Sequence, residues 1–192
     1  MSNPDHSIID ISVTCTVFGF DGQALNVLLM RQRPPVPDFP LKKLQHALPG
    51  DLITGKETLD DAAARVLYEC TELDGIFLQQ FYTFGHPQRV RAPKDQDWLK
   101  TVRAHPERRV VTVAYYSLVK MDDVSPRAAP DSLAQTVEWV DIAKIPALAF
   151  DHNKIVVGGL KRLKEQLTSE NLGFKLLPEK FTLIQLQHLY EI

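Results

Sequence analysis

From Ile9 to Val17 the chain alternates: Ile9, Ile11, Val13, Cys15 and Val17 are apolar, while Asp10, Ser12, Thr14 and Thr16 between them are polar. That period of two predicts a half-buried β-strand. Phe20-Asp21-Gly22 then turns the chain into a second apolar run, Leu25 to Met30, so the domain opens with a hairpin. Four prolines between Arg33 and Pro40 predict an extended, turning loop. Beyond the loop the period changes. Leu59, Ala62, Ala63, Val66, Leu67, Cys70 and Leu73 recur every three or four residues, the apolar arc of an amphipathic helix. Thr58 stands at its N-cap with Asp61 three residues on, and Asp60 and Asp61 suit its positive end. Phe77 to Phe84 and Val110 to Val119 read as long strands, Thr136 to Val140 as a short one, and Asn153 to Leu167 as a second amphipathic helix, which Asp151 is placed to cap. Strands interleaved with helices in this way predict an α/β (α+β) domain, a mixed sheet flanked by helices.

Composition narrows the class. At 192 residues and 44% hydrophobic, the chain can bury a substantial core. No run approaches the ~20 apolar residues of a membrane span, and the start, MSNPDHS, lacks the basic and apolar regions of a secretory signal. A cytoplasmic protein with no membrane partner is expected. Cys15 and Cys70 give neither a disulfide framework nor a metal pair of familiar spacing and read as reduced core thiols, and the six histidines show no zinc-site spacing.

The net charge of −2 gives no global attraction for nucleic acid. Against that background residues 86–109 stand out, with Arg89, Arg91, Lys94, Lys100, Arg103, Arg108 and Arg109 against only Asp95, Asp97 and Glu107. The plain reading is a solvated, partly mobile basic loop. The functional reading makes Arg89, Arg91, Arg108 and Arg109 ligands of an anionic metabolite, or contacts to a partner or a DNA backbone.

The stretch Leu48 to Leu73, LPGDLITGKETLDDAAARVLYECTEL, carries the densest candidate chemistry. It resembles the Nudix box, G-x5-E-x7-R-E-U-x-E-E-x-G-U with U aliphatic, in frame. Glu57, Arg65, Leu67 and Glu69 stand at the acid, arginine, aliphatic and glutamate positions, whereas Asp51, Val66, Cys70 and Glu72 replace the first glycine, two glutamates and the last glycine. Family members hydrolyse diphosphate linkages with Mg2+, which needs several carboxylates converging on one cavity. Positions 66, 69 and 70 share a helix face, and here that face carries Val66, Glu69 and Cys70.

The flanks extend the resemblance to one subgroup, the Nudix-related transcription regulators. HALPGD (His46 to Asp51), RRVVTVAYYSLV (Arg108 to Val119), LAFDHNKIVVGGLKRL (Leu148 to Leu163) and GFKLLPEKFTLIQLQHLYEI (Gly173 to Ile192) carry it. The resemblance implies a degenerate Nudix-like domain at residues 1–170 that senses an ADP-ribose-type or sugar effector with little or no hydrolysis. It also implies the start of an incomplete winged-helix segment at 171–192, with Thr182 as a helix cap and Leu183, Leu186, Leu189 and Tyr190 as an apolar stripe. DNA contact would then belong to a winged-helix domain that this segment alone cannot complete, and a homodimer is expected. Glu57 is expected to pair with Arg65, which can also serve as a ligand contact. No cofactor is expected. The alternatives are a divergent Mg-dependent hydrolase of a nucleoside-diphosphate sugar, with Glu57 and Glu69 as catalytic candidates and Glu69 and Glu107 (or Asp97) as metal ligands, and a non-enzymatic α/β interaction domain.

Overall fold

A computed structural model of the chain describes residues 8–170. The calls on Thr182, Leu183, Leu186, Leu189 and Tyr190, and with them the 171–192 segment, lie outside the described residues.

The elements run β1 (Ile9–Phe20), β2 (Leu25–Gln32), β3 (His46–Ala47), β4 (Gly50–Leu52), α1 (Leu59–Thr71), β5 (Gln79–Phe84), α2 (Pro93–Val102), β6 (Arg109–Lys120), β7 (Ala134–Asp141) and α3 (His152–Glu170), with three short 3-10 turns between them. The strands form one mixed sheet in the order β3-β2-β1-β6-β5, with β4 paired to β1 and β7 to β2. β1 and β6 run parallel over twelve residue pairs, from Ile9 against Arg109 to Phe20 against Lys120, and the other pairings between these strands are antiparallel. The mixed α/β expectation is thus met. The β1–β2 hairpin closes through Asp21, whose Oδ1 accepts from Gln23 N and Ala24 N at 2.8 Å, while Gly22 takes the left-handed φ of 92° that the turn requires.

Each face of the sheet has its own core. α1 lays Ala62, Ala63, Val66, Leu67 and Cys70 on Val13, Cys15, Val17, Leu28 and Met30. α3 covers the other face, with Ile155, Val156, Leu163 and Leu167 packed among Phe18, Phe20, Val27, Leu29 and Tyr116. Gly158 permits that approach, since a Cβ there would lie 3.2 Å from the Phe81 ring.

This two-sided cover changes the reading of β1. From Ser12 to Phe20 every residue is buried, Ser12, Thr14 and Thr16 included, and it is Ile9 and Ile11 near the strand's start that are exposed. The alternation in sequence therefore does not mark a wet face. It marks a polar lining, in which Thr14 and Thr112 join hydroxyls at 2.9 Å.

The basic stretch is not a loop throughout. Pro93 at the first helical turn starts α2, and Trp98 and Leu99 anchor it in a third cluster with Leu44, Val90 and Val110. One aromatic and one aliphatic side chain thus bury part of a segment whose other residues are mostly charged or polar.

Candidate functional site

α1 begins with the capping box expected of Thr58 and Asp61: Thr58 Oγ1 accepts from Asp61 N at 3.1 Å, and Asp61 Oδ2 accepts from Thr58 N at 3.3 Å. The helix ends at Glu72 in a left-handed conformation, φ 56°. The residue standing at the motif's glycine position thus keeps a glycine-like backbone despite its side chain.

Arg65 organises the loop before the helix. Its Nε and Nη2 donate to the two oxygens of Glu57 at 2.8 and 2.7 Å, Nη2 also to Leu52 O at 3.1 Å, and Nη1 to Glu69 Oε2 at 2.8 Å. Glu57 Oε1 accepts from Thr54 N as well, at 2.6 Å, and these bonds hold its carboxyl down at about 2. The expected Glu57–Arg65 bridge is present, and Arg65 is occupied by it.

The face that carries metal-binding glutamates in the motif has a different character here. Val66 is fully buried and Cys70 nearly so, and burial pushes the Cys70 thiol up to about 12. Glu69 faces outward, bound to Arg65. Glu107 is exposed beside His105, and Asp97 pairs with Lys43. Among the described residues no three His, Cys, Asp or Glu side chains converge where they could hold a metal ion. A hard divalent cation needs several oxygen ligands, so the donor set does not fit Mg2+.

The arginines separate. Arg89 is buried and forms a paired contact with Asp151, Nη2 to Oδ1 at 2.7 Å and Nε to Oδ2 at 3.2 Å. Asp151 therefore serves Arg89 with its side chain and caps α3 only with its backbone carbonyl, which accepts from Lys154 N. The reason is electrostatic: a buried guanidinium without a carboxylate is far costlier than an uncapped helix end. Arg109 turns back to Gly85 O at 2.8 Å, Arg108 lies 3.6 Å from Asp10, and Arg91 is exposed. Of the four, Arg89 lines the cavity beside β1.

That cavity, of about 100 Å³, opens between β1, the Gly50–Asp51 bend and α2. Its polar wall is Gln32, Asp51, Arg89, Arg103 and His152, with Trp98 and Phe150 as its aromatic wall. The start of α2 is fastened to the approach to α3 beside it: Asp95, fully buried, accepts from Phe150 N at 3.1 Å and Gln45 Nε2 at 2.9 Å, and Lys94 Nζ donates to Leu148 O. Desolvation raises the Asp95 carboxyl despite those bonds. Sequence reasoning missed Gln32 and Trp98, which belong to no motif and, with His152 of the Leu148–Leu163 segment, meet only when β2, α2 and α3 pack.

The sequence model of the NUDIX domain matches residues 9–157. The chain belongs to the Nudix family. It is 28% identical over 184 residues to the ADPR responsive transcriptional repressor NtrR of Acinetobacter baylyi, a match that takes in 95% of this chain and 65% of that protein. The chain thus spans less than two thirds of its curated relative's length. Shewanella oneidensis NrtR complexed with a 27mer DNA is 27% identical, with a TM-score of 0.61 over 94% of this chain and 74% of that one. The NUDIX domain of the same protein, complexed with ADP ribose, shares the fold at a TM-score of 0.62 and 24% identity, covering 84% of this chain and 94% of that one. Among the described residues no helix is long and apolar enough to cross a membrane.

Proposed function

We propose that this chain is the effector-sensing part of a transcription regulator, binding an ADP-ribose-type metabolite with little or no hydrolysis. One observation carries the reading. A Nudix helix that keeps its arginine-centred frame but turns Val66 and Cys70 into the core, and ties Glu69 to Arg65, retains the architecture that seats a ligand while lacking the carboxylates that activate water. The similarity to an ADPR responsive transcriptional repressor and to a protein solved in complex with DNA supports the same view.

In this reading residues 1–170 are the sensing domain and 171–192 begin a winged-helix segment. DNA contact is assigned to that domain, two copies of which would read two half-sites as a dimer in the cytoplasm. Arg89 is the one sequence-nominated arginine retained as a cavity residue, while Arg65, Arg108 and Arg109 are given structural roles. A melting experiment with ADP-ribose, NAD and common sugars tests it. A ligand at 100 times its Kd stabilises the native state by about 2.7 kcal/mol, so the effector raises the midpoint and non-binders leave it unchanged. No shift with any ADP-ribose-type compound overturns the reading.

A further inference from the structure

Two polar side chains of the cavity wall have their directions set by backbone groups. Gln45 N donates to Gln32 Oε1 at 3.1 Å, which turns Gln32 Nε2 the other way. That nitrogen, on a side chain 1% exposed, has no hydrogen-bond partner among the described residues. Leu48 N donates to His152 Nδ1 at 3.0 Å, so the proton of the neutral ring sits on Nε2. Burial, with the charges of Arg89 and Lys94, pushes His152 down to about 3 and keeps it neutral. Arg103 and Asp51 also line the cavity.

Charge decides what such a wall accepts. Arg89 is paired with Asp151, the lining carries the Asp51 carboxylate as well as Arg103, and His152 is neutral, so the formal charges balance. A diphosphate brought inside would lose its hydration and face the Asp51 carboxylate without compensation. A polyol meets the wall better: its oxygens accept from His152 Nε2 and Arg103, its hydroxyls donate to Asp51, and its C–H face lies against Trp98 and Phe150. The volume, about 100 Å³, holds several waters or one sugar-sized group, and not a whole nucleoside-diphosphate sugar.

We infer that the cavity is a pentose chamber, taking one ribose-like unit and leaving any phosphates outside. The unit is either a free pentose or the terminal sugar of a larger effector, and the second form rests on the effector reading above.

The test uses the full chain carrying Trp139→Phe, which leaves Trp98 as its tryptophan, titrated with D-ribose, ADP-ribose and ADP. Ribose and ADP-ribose are expected to change Trp98 emission and ADP is not. Asp51→Asn and Arg103→Gln, each first shown to melt like the parent, are expected to weaken ribose and ADP-ribose at least tenfold. Their effect on any ADP binding seen by calorimetry should be under twofold. If ADP reproduces the ADP-ribose response, or both variants weaken ADP by the same factor, the chamber inference is overturned and the effector reading stands. Ribose binding with no response to ADP-ribose supports the chamber and overturns the effector reading. Binding of neither sugar overturns both.

Discussion

Glu69 Oε2 lies 2.8 Å from Arg65 Nη1, so the one carboxylate left on that face of α1 is already engaged by a guanidinium. In a hydrolase the same face must offer free oxygens to a cation. Here the arginine that braces Glu57 also claims Glu69, and the neighbouring positions, Val66 and Cys70, belong to the core.

Restoring the motif should therefore damage the fold before it restores chemistry. Val66→Glu places a carboxylate at a fully buried position against the sheet, and a loss of at least about 2 kcal/mol is expected. Urea denaturation measures it. A variant with the parent's midpoint would mean that this face of α1 can open to solvent.

Glu72 holds a left-handed backbone at the end of α1, which costs a residue with a side chain roughly 1 kcal/mol. Glu72→Gly removes that strain at some expense in unfolded-chain entropy, so a net gain of about 0.5 kcal/mol is predicted, read as a higher melting midpoint. An unchanged or lower midpoint goes against it.

The Arg89–Asp151 pair is buried on both sides, at 4% and 10% side-chain exposure. Arg89→Ala should cost about 3 to 5 kcal/mol by stranding Asp151. The double change Arg89→Ala with Asp151→Ala should cost clearly less than the two single changes added together. A double-mutant cycle that closes additively would show the pair is not coupled.

His152 gives a pH signature. Its folded-state pKa is lowered from 6.5 to about 3, so between those values the unfolded chain takes up a proton that the folded chain refuses. Stability from this group is full above about pH 6.5 and falls as pH drops toward 3, by up to about 1.4 kcal/mol per pH unit. His152→Asn, whose side-chain oxygen can still accept from Leu48 N, should flatten the stability profile across that window. Parallel profiles for parent and variant contradict it.

Much of this was legible in sequence. The arc from Ala62 to Leu73, the Thr58–Asp61 box and the Glu57–Arg65 bridge are local, set by helical spacing and an eight-residue reach. The polar wall was not. Ser12, Thr14 and Thr16 alternate as a solvent face would, and only β6 alongside and helices on both faces make them interior. Arg89 and Asp151 are 62 residues apart, and Gln32 and His152 share a cavity only through tertiary packing, so no spacing rule reaches them. Residues 93–102 were misread as loop because charge dominates the window, while Trp98 and Leu99 carry its burial.

Binding without turnover is tested most directly by calorimetric titration of the chain with ADP-ribose, in Mg2+ and again in EDTA, with chromatography of the same samples for AMP and ribose 5-phosphate. The account predicts saturable binding of equal affinity in both buffers and no products above background. Release of AMP in Mg2+ at the ~1 to 10^3 per second typical of enzymes, abolished by EDTA, would contradict it and make the chain a working hydrolase.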